Sequence, residues 1–189
     1  IGLCLVGSEM CIRDRRYQLA HKPQDVMMTM PNDGKRVTLS TAQFVEQMDA
    51  VSRGLIAMGM KAEEKVALIS HNNRCEWNIM DHGIMQAGGI DVPIYPTMTE
   101  EDYKYILTHS GAKYCFVSNA ELHAKVMAVK DECPELEEVF TFEKVTGARH
   151  WSEVSEAGSD AQQAELDARR DAVDPAQLAT IIYTSGTTG

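Results

Sequence analysis

Short apolar runs alternate along this chain with longer stretches whose apolar positions recur every three or four residues, the signature of strands packed between amphipathic helices. The clearest helix opens at Ser40, where Gln43 three residues on completes a capping box, and carries Phe44, Met48, Val51 and Leu55 on one face. Gly59 comes next, a residue free to take the left-handed conformation that closes a helix. Residues 66–70 form a continuous apolar run of the kind expected for a buried parallel strand. A second helix presents Trp77, Met80, Ile84 and Ala87 and ends near Gly88 and Gly89. The next strand, 92–95, contains Pro93 and is followed by Pro96; with amide donors missing it must be short, bulged or at an edge. Thr99 then caps a helix whose first turn, Glu100, Glu101 and Asp102, complements the helix dipole, with Tyr103, Ile106 and Leu107 on the buried face and Gly111 at its end.

The same alternation continues with a strand at 113–118, a helix capped by Asn119 that carries Leu122, Val126 and Val129 and stops at Pro134, and a strand at 139–142. Residues 143–174 are polar, with helical candidates at 151–156 and 160–172, and a turn at Asp174-Pro175 leads into a last strand, 179–183. Ahead of all this, 26–29 and 36–39 read as hairpin arms about Asn32-Asp33-Gly34, with Met27, Met28 and Met30 as core fill. Strands alternating with helices predict an α/β fold, a mostly parallel sheet flanked by helices on both faces.

Composition narrows the function classes. With 44% apolar and 24% charged residues the chain has an ordinary globular balance. A net charge of −10 disfavours a nucleic-acid partner, which would need a basic face, and leaves room for a local basic patch that binds an anionic ligand. No apolar run reaches the length of a membrane span, though peripheral membrane contact stays compatible with the sequence. The five cysteines, Cys4, Cys11, Cys75, Cys115 and Cys133, show no paired spacing, which argues for reduced thiols and a cytoplasmic setting. His82 is read as a hydrogen-bonded structural residue, since nothing spaced near it would make it catalytic. Residues 1–16 lack a period that continues into the hairpin region and have no signal-peptide pattern; they are expected to be a non-native lead-in.

The candidate chemistry sits at the end. The β-branched and aromatic residues of the last strand change abruptly to Thr184, Ser185, Gly186, Thr187, Thr188 and Gly189. Glycines let consecutive amides point into one concavity and the hydroxyls add donors, so a strand feeding this run makes a plausible phosphate cradle. A flexible connector is the competing interpretation. No Gly-Lys-Ser/Thr is present after it, so it is not a Walker A loop.

Tyr183-Thr184-Ser185-Gly186-Thr187-Thr188-Gly189 resembles the phosphate-loop motif of the adenylate-forming (AMP-binding) superfamily, in which the motif usually continues Xaa-Pro-Lys-Gly. Asn73-Arg74-Cys75-Glu76-Trp77 and Val92-Pro93-Ile94-Tyr95-Pro96-Thr97 are similar to runs of the long-chain fatty acyl-CoA synthetase branch. The resemblance implies that residues 17–189 are the N-terminal portion of the large AMP-binding domain, incomplete and truncated within the phosphate loop. It implies an ATP-dependent fatty acid–CoA ligase with fatty acid, ATP and coenzyme A as partners and Mg²⁺ as cofactor. It implies that Thr184, Ser185, Gly186, Thr187, Thr188 and Gly189 hold phosphates, with Thr184 a candidate Mg²⁺ contact, and that no catalytic residue lies in this stretch. The loop lysine and the later motifs are absent here, so the chain by itself is expected to be inactive. The open alternatives are a peptide-synthetase adenylation domain, a luciferase-like member, or a non-catalytic nucleotide-binding α/β module.

Overall fold

The computed structural model describes residues 8–32, 35–174 and 176–184. Seven helices and seven strands succeed one another as α1 (Ser8–His21), β1 (Met28–Asn32), β2 (Lys35–Leu39), α2 (Thr41–Ala57), β3 (Lys65–Ile69), α3 (Cys75–Gln86), β4 (Ile90–Ile94), α4 (Glu100–Ser110), β5 (Ala112–Val117), α5 (Ala120–Val129), β6 (Glu138–Thr141), β7 (Arg149–His150), α6 (Ser152–Ala157) and α7 (Gln163–Asp171) among the described residues. β1 and β2 pair antiparallel as the expected hairpin. The remaining strands form one sheet in the order β4-β3-β5-β6-β7, every pair parallel.

Period-two alternation in each strand feeds two cores, because successive side chains point to opposite faces. Val66, Leu68, Tyr114, Phe116 and Phe140 join Phe44, Met48, Val51 and Leu55 of α2 and Ile79, Met80 and Ile84 of α3 on one face. Ala67, Ile69, Val92, Ile94, Cys115 and Val117 meet Tyr103, Ile106 and Leu107 of α4 and Leu122 and Val126 of α5 on the other. Met27, Met28 and Met30 pack against the first core, as core fill requires.

The helix ends obey the caps in the sequence. Ser40 accepts from the Gln43 amide at 3.2 Å while the Gln43 side chain accepts from the Ser40 amide at 2.9 Å. Thr99 and Asp102 form the same reciprocal pair at α4, and Gly111 ends that helix in the left-handed region with φ 66°. Asn119 accepts from the Leu122 amide at 3.1 Å to start α5.

One helix was not expected, and one expected strand shortens. Residues 8–16 belong to a helix that continues unbroken to His21, although its sequence has no apolar stripe. Arg16 donates to both carboxylate oxygens of Asp49 on α2 at 2.7 and 2.8 Å, and Asp49 in turn accepts from Gln86 of α3 at 2.9 Å, so a polar network ties this helix to the core layer.

The last expected strand, 179–183, shrinks to a single parallel bridge between Thr180 and Asp91. The Asp91 amide donates to Ala179 O at 3.1 Å and the Ile181 amide donates to Asp91 O at 2.9 Å. In a parallel ladder the next outward-facing donor on β4 is two residues on, at Pro93, which has no N–H. The ladder therefore stops where proline removes its rung.

Candidate functional site

Parallel strands place their ligand sites beyond their carboxyl ends, and here that rim is built from four of them. β3 runs into Ser70, His71, Asn72, Asn73 and Arg74 before α3 begins. Ser70 Oγ donates to Asn72 O at 2.7 Å, and the His71 amide donates to Ser118 Oγ at the end of β5 at 3.3 Å. Arg74 binds the strand ends together. Its guanidinium donates to Glu76 at 3.1 and 3.2 Å, to Ser118 O at 3.3 Å and to Glu143 after β6 at 3.4 Å, and lies 5.3 Å over the Phe142 ring.

A cavity of about 400 Å³ opens here, lined by Ser70, Asn72, Asn73, Arg74, Trp77 and Asn78. Ser70 and Trp77 also line a second, more apolar one of about 260 Å³, walled by Leu68, Pro93, Ile94, Tyr95, Pro96 and Ile182. The turn between β4 and α4 that forms its floor is held from beneath, because Tyr103 Oη donates to Pro96 O at 2.9 Å. Burial pushes the Tyr103 phenol up to about 12, so it stays a donor at any working pH. At the opposite, amino edge of the sheet lies a cavity of about 440 Å³ lined by Glu63, Glu64, Glu135 and Glu137 with Lys65 and Lys113. Four carboxylates against two ammonium groups repel a polyphosphate, so the carboxyl rim is the better candidate.

The segment leading to the hydroxyl-and-glycine run arrives at that rim. Residues 179–181 travel beside β4 in the same direction. Ile182 then faces the apolar cavity, Tyr183 is half-buried and Thr184 is exposed. Ser185, Gly186, Thr187, Thr188 and Gly189 lie outside the described residues, so of the six expected phosphate contacts the geometry concerns Thr184 alone. Among the described residues no group of three His, Cys, Asp or Glu side chains could hold a metal ion.

Three contacts here were not foreseen from the sequence. Asp91, 2% exposed, sits in the apolar run of β4 and is hydrogen-bonded to the side chain of Asp81 on α3. Burial first, then the Asp81 charge, raises its carboxyl well above the usual 3.8. Its Oδ1 and the neighbouring Thr180 Oγ1 are buried without hydrogen-bond partners. An aspartate between Ile90 and Val92 was the available signal. His82 is structural as expected, its Nδ1 3.0 Å from Asn78 O, but Asp81 also lies 3.4 Å away and Phe44 meets its ring edge-on. The third is a hydrogen bond between His109 of α4 and Tyr183, for which the sequence carries no signal.

Fold and rim together define a mostly parallel α/β domain with a polar cleft across the carboxyl ends of its strands. The chain belongs to the family of AMP-binding enzymes, whose defining pattern matches residues 16–189. The long-chain-fatty-acid–CoA ligase FadD15 of Mycobacterium bovis is 35% identical over 158 residues, covering 83% of this chain and 26% of the relative. The structure is similar to that of a long-chain-fatty-acid–CoA ligase, FadD1, from Archaeoglobus fulgidus, with TM-score 0.69, 17% identity, and coverage of 99% of this chain and 36% of the other. It is similar also to a red-emitting luciferase from Phrixothrix hirtus, with TM-score 0.72, 17% identity, and coverage of 97% and 34%. The two solved structures establish the adenylate-forming fold. The chain spans about a quarter of the curated relative's length. Among the described residues no helix is long and apolar enough to cross a membrane.

Proposed function

We propose that this chain is the N-terminal portion of the adenylation domain of a fatty acid–CoA ligase. In the reaction of such an enzyme, a fatty-acid carboxylate oxygen attacks the α-phosphorus of ATP and pyrophosphate leaves. The coenzyme A thiolate then attacks the acyl carbon, a thioester forms and AMP departs. Chemistry of this kind depends on positioning and charge neutralisation more than on acid or base groups. The part assigned to this chain is positioning: Thr184, Ser185, Gly186, Thr187, Thr188 and Gly189 offer amides and hydroxyls to the triphosphate tail.

The observation that carries the reading is the parallel run of residues 179–181 beside β4, which sends Thr184 outward at the carboxyl rim. Thr184 is exposed there, and its hydroxyl is the hard oxygen ligand that suits Mg²⁺. With no protein cage of carboxylates among the described residues, the cation would come with the triphosphate and Thr184 would add one ligand to it. Relatedness to a long-chain-fatty-acid–CoA ligase at 35% identity supports the fatty-acid branch. Cys75, Cys115 and Cys133 are free and buried, which suits the reducing cytoplasm.

Titration of Mg·ATP into the ¹⁵N-labelled 189-residue chain tests this. Amide resonances of Thr184 to Gly189 should move, with little change at the amino edge around Glu63 and Glu137. No movement there at millimolar nucleotide refutes the cradle. The same chain is expected to give no ATP–pyrophosphate exchange, and a signal would contradict its assignment as an inactive portion.

A further inference from the structure

Tyr183, the residue before Thr184, is held from the side. Its Oη lies 2.7 Å from Nδ1 of His109, in the last turn of α4. The two rings meet edge to face at 5.7 Å. Tyr105, one helical turn earlier, stacks on His109 at 5.5 Å and meets Tyr183 edge-on at 6.4 Å. Burial first, then Tyr105, pushes the Tyr183 phenol up, so the hydroxyl keeps its proton as a hydrogen-bond donor. Among the described residues the backbone bonds between this segment and β4 end at Ile181. Beyond that point the chain is fixed by the Tyr183 side chain, from the α4 side of the sheet.

We infer that His109 is a positioning residue for the hydroxyl-and-glycine run: through Tyr183 it sets the point and direction in which that run leaves the sheet. The inference rests on the reading of the run as a phosphate cradle. A cradle of backbone amides binds only if its entry is directed, since a displacement of about an ångström at the anchoring residue spoils several hydrogen bonds at once. The backbone bridge at Asp91 fixes the segment's distance from the sheet, and one bridge leaves rotation about it free. A second tie two residues beyond the end of the bridge, reaching a different element, removes that freedom.

The test uses the ¹⁵N-labelled 189-residue chain. Tyr183→Phe keeps the ring and removes only the hydroxyl, so it separates the hydrogen bond from packing. It should speed amide exchange at Ile181, whose N–H is bonded to Asp91 O, about fivefold, the worth of one partly exposed hydrogen bond. It should also shift the His109 ring nitrogen resonances and weaken Mg·ATP binding by a similar factor. His109→Ala should match it, and His109→Asn, whose Oδ1 can occupy the place of Nδ1, should restore most of the loss. Exchange and binding in Tyr183→Phe equal to those of the unsubstituted chain would overturn the inference. If the unsubstituted chain ignores nucleotide while the exchange and ring-nitrogen effects appear, the cradle reading has failed and the orienting role of His109 stands.

Discussion

Replacing Asp91 with asparagine should stabilise the fold at neutral pH and remove a pH dependence. The carboxyl is 2% exposed, touches the Asp81 carboxyl, and has one oxygen without a partner. Burial and the Asp81 charge both favour the protonated form, which raises its folded value well above the ordinary 3.8. Asp81 itself has a titratable neighbour in His82, 3.4 Å away on the same helix. Above 3.8 the unfolded chain releases this proton while the folded chain keeps it, so the unfolded state binds one proton fewer. Stability then falls as pH rises, by about 1.4 kcal/mol per pH unit for one proton, and levels off once the folded carboxyl also ionises. Asp91→Asn has the same shape, carries no charge, and offers Asp81 a permanent amide donor. The difference between the two proteins should start near zero at about pH 4 and widen with that slope in favour of the variant. Urea unfolding at half-unit pH steps, followed by the fluorescence of Trp77 and Trp151, measures it through the midpoint at constant slope. Parallel stability curves for the two proteins between about pH 4 and 7 would refute the shared-proton account.

Gly54→Ala should destabilise strongly, because a Cβ there would lie 1.7 Å from Val154 O, a backbone atom of α6 that cannot swing aside. The better helix propensity of alanine returns about 1 kcal/mol, against an overpacking cost of about 3 kcal/mol, so thermal unfolding should show a net loss of about 2 kcal/mol. Pro93→Val should give β4 the outward amide that it lacks and extend the ladder toward Tyr183. The new hydrogen bond, about 1 kcal/mol, is offset by the freer unfolded chain. Global stability should stay flat, while the new amide at position 93, placed to donate to Ile181 O, exchanges slowly; free exchange there would show that proline is not what ends the ladder.

Local chemistry was legible and lateral neighbourhood was not. The caps at Ser40, Thr99 and Asn119 depend on residues three apart, and each stands where the sequence places it. So do the alternating apolar positions of β3 and β5, since burial on both faces leaves no other reading of such runs. The strand expected at 179–183 failed for a reason that needs the strand order. Thr180, Ile181 and Tyr183 have the right residue types, but their neighbour is β4 with Pro93 in it, and a proline removes a rung from the partner's ladder as well as its own. The Asp81–Asp91 pair and the His109–Tyr183 contact are hidden likewise, the second spanning 74 positions. Helix α1 escaped because its sequence has no apolar stripe and its anchoring is a polar contact, Arg16 to Asp49.

The short ladder bears on the site itself. A loop that must fold around a polyphosphate and release it gains little from a strand zipped to the sheet along its whole length, since every amide in the ladder is one fewer for the ligand. Here the segment before Thr184 shares two backbone hydrogen bonds with Asp91 and one side-chain hydrogen bond with His109. The backbone bonds fix its place beside the sheet, and the side-chain bond fixes its heading. On the proposed cradle reading, the amides from Thr184 onward would then serve the phosphates, and a proline in one strand would serve a binding loop on another.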